Sequence, residues 1–118
     1  MQYAVLLYGD ERRWLDADAE TRSKVYARHD EFSRVVSERG HKIVGGAELR
    51  GSATAKTVRG TADEFTTTDG PFAETAEQLG GFYLIETDDL DGLAAAVAML
   101  SFGESCEIRP CVPPEKQP

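Results

Sequence analysis

Residues 3–8 of this chain read Tyr-Ala-Val-Leu-Leu-Tyr, and residues 82–85 read Phe-Tyr-Leu-Ile. Each stretch predicts a β-strand that presents apolar side chains to both of its faces. A strand with one solvated face would instead alternate between apolar and polar residues. The two stretches therefore predict a sheet that is covered on both sides.

The segments around these strands predict two helices and several further strands. Asp16 or Asp18 is placed to cap a helix that runs to about Arg39, where Gly40 supplies the stop. A second helix begins after Asp88 or Asp89, with Leu90, Leu93, Ala94, Val97 and Leu100 on one side. The remaining predicted strands are His41–Leu49, Thr54–Arg59, Glu64–Thr68 and Ser105–Val112. Within the first of these, Gly45-Gly46 indicates a bulge or a close approach of the backbone.

This order of elements predicts an α+β fold in one domain. An antiparallel sheet with both helices on one face is the simplest packing for it, a ferredoxin-like arrangement. The length of 118 residues suits a single core. We expect the domain to span residues 1–112 and residues 113–118 to form a loose C-terminal tail.

The second face of the predicted sheet needs a cover, because two helices shield only one side. An exposed apolar face of several hundred Å² is uncommon on monomers. A second copy of the chain is the simplest cover, so we predict a homodimer. The alternative is that the segment Leu49–Phe72 folds over this face.

Composition excludes several classes of function. The net charge is −8, whereas binding to nucleic acids or to anionic membranes requires clustered lysine and arginine.

We find no leader-like or membrane-spanning segment, so a cytoplasmic location is expected. Cys106 and Cys111 are expected to be free thiols. No metal-ligand spacing or dinucleotide fingerprint occurs, so we expect no metal and no cofactor.

Residues 68–75, Thr-Asp-Gly-Pro-Phe-Ala-Glu-Thr, and residues 77–85, Glu-Gln-Leu-Gly-Gly-Phe-Tyr-Leu-Ile, closely resemble the signature of the DGPF-type YCII-related family. The resemblance extends to about Val112. It implies a dimeric α+β barrel, related in fold to muconolactone-isomerase-like and dehalogenase-like enzymes. It also implies that His29 and Asp69 occupy the positions of a proposed acid/base pair. Ala76 stands where relatives often have lysine, so an anion contact from that lysine would be missing.

His29 and Asp69 also have interpretations of their own. His29 lies on the apolar stripe of the first helix with Val25, Phe32 and Val36, so its ring should point inward. It is either a core histidine bonded to backbone or a proton-transfer group. Asp69 either closes an Asx-type turn or orients the His29 imidazole.

Neighbouring residues complete the predicted site. Gly70, Pro71 and Phe72 would stiffen the loop and supply an apolar wall, and Tyr8 would point a phenol into a cleft. Arg50 and Arg59 are suited either to binding a carboxylate or to solvated strand ends.

The function predicted from these residues is acid/base chemistry on a small organic molecule. Isomerisation, lactone chemistry or dehalogenation would suit a His/Asp pair without a cofactor. The alternative is a small-ligand-binding or regulatory dimer without catalysis. Because some relatives accompany sigma factors, that dimer would be linked to transcription through a protein partner.

Overall fold

The computed structural model describes residues 1–100 and 105–117, which form three α-helices and six β-strands. The helices are α1 (Glu11–Leu15), α2 (Ala19–Glu38) and α3 (Leu90–Val97). The strands are β1 (Gln2–Asp10), β2 (Lys42–Glu48), β3 (Lys56–Gly60), β4 (Phe65–Asp69), β5 (Glu77–Glu86) and β6 (Ser105–Pro110). The predicted α+β class is confirmed.

Four of the strands form one antiparallel sheet in the order β2-β5-β1-β6. β1 pairs with β5 on one side and β6 on the other, so that Val5 lies opposite both Tyr83 and Ile108. β3 and β4 pair with each other as a separate two-stranded hairpin. The sequence predicted both of these strands but not their separation from the main sheet.

The core lies between one face of this sheet and the helices α2 and α3. Val5 and Ile85 point from the sheet into this layer, where they join Phe32 and Leu93, and all four side chains are 0% exposed. Full burial of such a side chain contributes about 1.5–3 kcal/mol. This packing places both long helices on one side of the sheet, as predicted.

The opposite side of the sheet carries an apolar surface that we call the open face, formed by Ala4, Leu6, Phe82 and Leu84. Leu6 pairs with Phe82 and Ala4 with Leu84, so side-chain alternation places all four away from α2 and α3. Both faces of the central strands are therefore apolar, in agreement with the prediction.

Acidic caps begin both of the N-terminal helices. The Thr21 N–H donates to the Asp18 carboxylate at 2.8 Å, which identifies Asp18 as the cap of α2. The Arg13 N–H donates to Asp10 in the same way at 3.2 Å and starts α1. The sequence predicted only a break at this point, because a five-residue helix has too few positions to show a period.

Candidate functional site

A cleft of about 730 Å³ opens between α2 and the adjoining ends of β1, β2 and β5. From α2 it is lined by Thr21, Val25 and His29, which recur every four residues and so share one helix face. At 1.5 Å per residue, this row extends for about 12 Å along the helix. Helix α1 lines the cleft near the beginning of α2, and His29 marks the other end of the row.

His29 is held in this cleft by Tyr83 of β5. Its Nδ1 lies 2.6 Å from the Tyr83 hydroxyl, and the two rings are stacked with centroids 5.9 Å apart. Tyr83 in turn packs against the buried Phe32 ring at 5.1 Å. The imidazole is therefore oriented by a side chain that is itself fixed by the core.

Burial keeps both members of this pair neutral near pH 7. Burial lowers the pKa of His29, although the nearby Glu48 and Asp30 carboxylates oppose that shift. Burial also raises the pKa of Tyr83, and the charge of Asp30 adds to the effect. The His29 Nε2 atom makes no hydrogen bond to residues 1–100 or 105–117. That nitrogen is therefore free to meet a ligand.

Tyr26 and Glu48 form a second polar contact on the cleft wall. The Tyr26 hydroxyl donates to the two Glu48 carboxylate oxygens at 2.7 and 3.0 Å, and this bond raises the pKa of Tyr26. The Trp14 ring meets the Tyr26 ring edge-on at 5.7 Å. The Arg22 guanidinium lies 5.1 Å above the Trp14 ring. This wall is therefore formed by aromatic rings together with the Glu48 carboxylate, which accepts hydrogen bonds.

A glycine in β2 lets that strand approach β5 closely enough to shape the wall. Gly46 has φ +144°, and a Cβ atom there would lie 2.5 Å from the Phe82 carbonyl oxygen. The pairing register also shifts between Ile43 and Gly45. The bulge and close approach predicted for Gly45-Gly46 are thus confirmed, and they bring Glu48 opposite Gly81.

Glu11 ties α1 to the segment that follows β2. Its carboxylate accepts hydrogen bonds from the Ser52 N–H at 2.7 Å and from the Ser52 hydroxyl at 2.6 Å. Arg13 and Arg50 line the cleft from the two segments that this link joins.

The structure brings only some of the predicted site residues together. His29 and Tyr8 both line the cleft. Asp69 ends β4 on the separate hairpin, where its carboxylate pairs with the Lys56 ammonium at 2.9 Å. Of the residues that follow, Gly70, Pro71 and Phe72, none lines the cleft of its own chain. Phe72 is 81% exposed.

Three residues of the cleft were missed by the sequence analysis. Tyr26 precedes His29 by three positions on α2, a spacing that places neighbours on one helix surface and was available as a signal. Glu48 follows the Gly45-Gly46 pair that brings β2 close to β5. Tyr83 was predicted only as an apolar residue of its strand, because such a strand offers no signal that separates a bonded hydroxyl from a packed ring.

In the described ranges, no helix is long and apolar enough to cross a membrane. Within residues 1–100 and 105–117, no three histidine, cysteine, aspartate or glutamate side chains are grouped to hold a metal ion.

Comparison with known proteins relates the chain to one family. The family model for the YCII-related domain matches residues 1–113. An uncharacterized protein of Rhizobium meliloti (strain 1021) is 42% identical over 91 residues, which cover 77% of this chain and 73% of the relative. The range matched by the family model includes every residue that lines the cleft. This chain belongs to the YCII-related family.

Proposed function

We propose that this protein is a small-molecule enzyme in which His29 transfers a proton. One observation carries the proposal: Tyr83 holds Nδ1 of His29 at 2.6 Å, while Nε2 has no partner in the described chain and the residue lines a cleft of about 730 Å³. A base in such a site needs an oriented ring and a free nitrogen within reach of the substrate.

The proposed step starts from neutral His29. Its Nδ1–H donates to the Tyr83 hydroxyl oxygen, which leaves a lone pair on Nε2. Nε2 takes a proton from a carbon next to a substrate carbonyl, and the imidazolium then returns it to another substrate atom. The Glu48 and Asp30 charges, which favour protonated His29, stabilise the transient cation. Isomerisation fits this sequence most directly, while lactone chemistry and dehalogenation use the same base.

We further propose that the working unit is a homodimer of ferredoxin-like domains whose open faces meet, forming a dimeric α+β barrel. The strand order β2-β5-β1-β6 and the apolar open face, whose four residues are half-buried within one chain, support this arrangement. The chain measures 48 × 46 × 18 Å, with a radius of gyration of 16.4 Å. A compact chain of this length would have a radius of about 13.5 Å. Such a flat shape suits a chain that shares its core with a copy.

A role for Asp69 beside His29 requires that copy. Within one chain the Asp69 carboxylate pairs with Lys56, whereas the His29 ring bonds Tyr83. We propose that Asp69 of the partner subunit approaches the cleft, together with the loop that continues through Gly70, Pro71 and Phe72. The large exposed fraction of Phe72 supports a contact of this kind.

Proton exchange in heavy water tests the catalytic proposal without knowledge of the substrate. Small ketones, lactones and 2-oxo acids are incubated with the protein, and deuterium uptake beside the carbonyl is followed by NMR. We expect uptake from at least one compound, with loss of that activity in His29→Gln. Glu31→Gln, an exposed change on the same helix outside the cleft lining, should retain most of it.

The opposite outcome distinguishes the non-catalytic alternative. If a compound binds in the cleft but exchanges no faster than it does without the protein, then His29 does not act as a base. The protein is in that case a ligand-binding dimer.

A further inference from the structure

We propose that the ligand of this cleft carries a carboxylate and that Arg13 and Arg50 bind it. The inference deepens the proposed function, because it names the substrate class of the same cleft. It is carried by the unpaired state of these two arginines and by their position at one end of the cleft.

Several other arginines of the chain are already engaged. Arg34 pairs with Glu31 and Glu38, Arg109 pairs with Glu107, and Arg59 donates to the Phe72 carbonyl oxygen. The guanidinium groups of Arg13 and Arg50 make no hydrogen bond or ion pair with any residue that the structure describes. Those of Arg12 and Arg39 make none either, but these two residues lie outside the cleft lining, whereas Arg13 and Arg50 belong to it. The chain contains 21 acidic residues and 13 basic ones, so partners are abundant. Two unpaired cations that line one cleft in an acidic protein indicate an anionic ligand.

The link between Glu11 and Ser52 brings the segments that carry the two arginines to the same end of the cleft. Arg13 follows Glu11 by two residues in α1, and Arg50 precedes Ser52 by two residues. The Glu11 carboxylate is occupied by two hydrogen bonds from Ser52. Lys24 also lines the cleft, but its ammonium already pairs with Glu20 at 3.5 Å. The free positive charge therefore comes from the arginines, whose planar groups match the two oxygens of a carboxylate.

The other residues of the cleft indicate the size and polarity of the rest of the ligand. Trp14, Tyr26 and Tyr8 line the same cleft with aromatic rings, and the Trp14 and Tyr26 rings meet edge-on. Beyond them, His29 lies about 12 Å along α2 from Thr21. A flat, mainly apolar molecule with a carboxylate at one end would fill this space and bring its other end toward Nε2 of His29.

Binding of three carboxylic acids and their neutral amides tests the inference. The probes are benzoate, 3-phenylpropionate and hexanoate, each compared with its amide by calorimetry or ligand-observed NMR. We expect at least one acid to bind about tenfold more tightly than its amide. Arg13→Gln and Arg50→Gln should each remove most of that preference and leave amide binding unchanged.

Arg12→Gln is the matched control, because Arg12 is adjacent in α1, exposed and outside the cleft lining. It should leave acid binding unchanged. If Arg50→Gln lowers the melting temperature, Arg50→Lys keeps the charge without the planar fork and should still weaken acid binding. Equal binding of acid and amide, equal losses in Arg12→Gln, or no acid binding at about 10 mM would each overturn the inference.

Failure of this inference is separable from failure of the proposed function. His29→Gln should abolish exchange chemistry but retain the preference for the acid. If the acid preference is present and chemistry is absent, the carboxylate site stands and the base does not. If exchange depends on His29 but the acid and its amide bind equally well, the role of His29 as a base is supported and the carboxylate site is refuted.

Discussion

Nδ1 of His29 and the hydroxyl of Tyr83 lie 2.6 Å apart, although 54 residues separate them in the sequence. The bond connects α2 to β5 on the wall of the cleft. It orients the imidazole ring, and Nε2 keeps no hydrogen-bond partner within the described residues.

Tyr83→Phe should lower the free energy of unfolding by about 1 kcal/mol, because the ring keeps its packing and one partly buried hydrogen bond is lost. Urea unfolding measures the change. ¹⁵N shifts of the imidazole should show one dominant tautomer in the parent protein and a mixture in the variant. Unchanged shifts would mean that Tyr83 does not orient the ring.

His29 should titrate below its ordinary value, because burial lowers its pKa. The unfolded chain then binds a proton at a higher pH than the folded chain does. The free energy of unfolding should therefore fall as pH drops from about 6.5 through the folded-state pKa. His29→Gln should reduce this slope in urea titrations at several pH values. An NMR titration that gives His29 a pKa above 6.5 would contradict the prediction.

Gly46→Ala should destabilise the fold by about 2 kcal/mol or more, because φ is +144° and the new Cβ would meet the Phe82 carbonyl oxygen. Gly45→Ala is the control. Its Cβ would touch the end of the Leu84 side chain at 3.3 Å, and the cost should stay below about 1.5 kcal/mol. Thermal unfolding of both variants compares them, and equal losses would exclude the close approach as the cause.

Leu84→Lys should convert a dimer into a monomer and leave the core intact, because Leu84 belongs to the open face. Sedimentation equilibrium should give twice the 12.9 kDa chain mass for the parent protein and the single mass for the variant. Leu90→Lys, at an exposed position in α3, is the matched change and should remain dimeric. A monomeric parent protein would remove the basis for the dimer.

Asp69→Asn should change the free energy of unfolding by less than about 1 kcal/mol, because its ion pair with Lys56 is exposed. If Asp69 of the partner subunit serves the cleft, this variant should nevertheless lose activity. Lys56→Gln breaks the same ion pair and should retain activity. Equal activity of the two variants and the parent would leave Asp69 as a residue of the turn alone.

Periodicity and capping residues predicted most of the fold. The two-sided strands around Val5 and Tyr83, a cap at Asp16 or Asp18, and the stop at Gly40 shortly after α2 depend on neighbours in sequence, so local pattern indicates them. The inward direction of His29 was predicted from its helical stripe for the same reason.

The polar contacts of the cleft were not predicted, because they join residues that are distant in the chain. Tyr83 meets His29 only after β5 pairs with β1, and Glu48 meets Tyr26 only after β2 pairs with β5. The separation of the β3–β4 hairpin is of the same kind. Its threonine-rich strands indicated β-structure, but nothing in their sequence showed that they would pair with each other and not with an edge of the main sheet.

The position of β1 at the centre of the sheet has a consequence for how the protein folds. Leu7 pairs with Cys106, which lies 99 positions further along the chain. Such distant pairings give a high contact order, which slows folding. During synthesis, the apolar residues of β1 emerge long before β5 and β6 exist to pair with them. The nascent chain must therefore keep this strand unpaired until residue 86 is available, and without its second partner until residue 110, and in that interval it is exposed to aggregation.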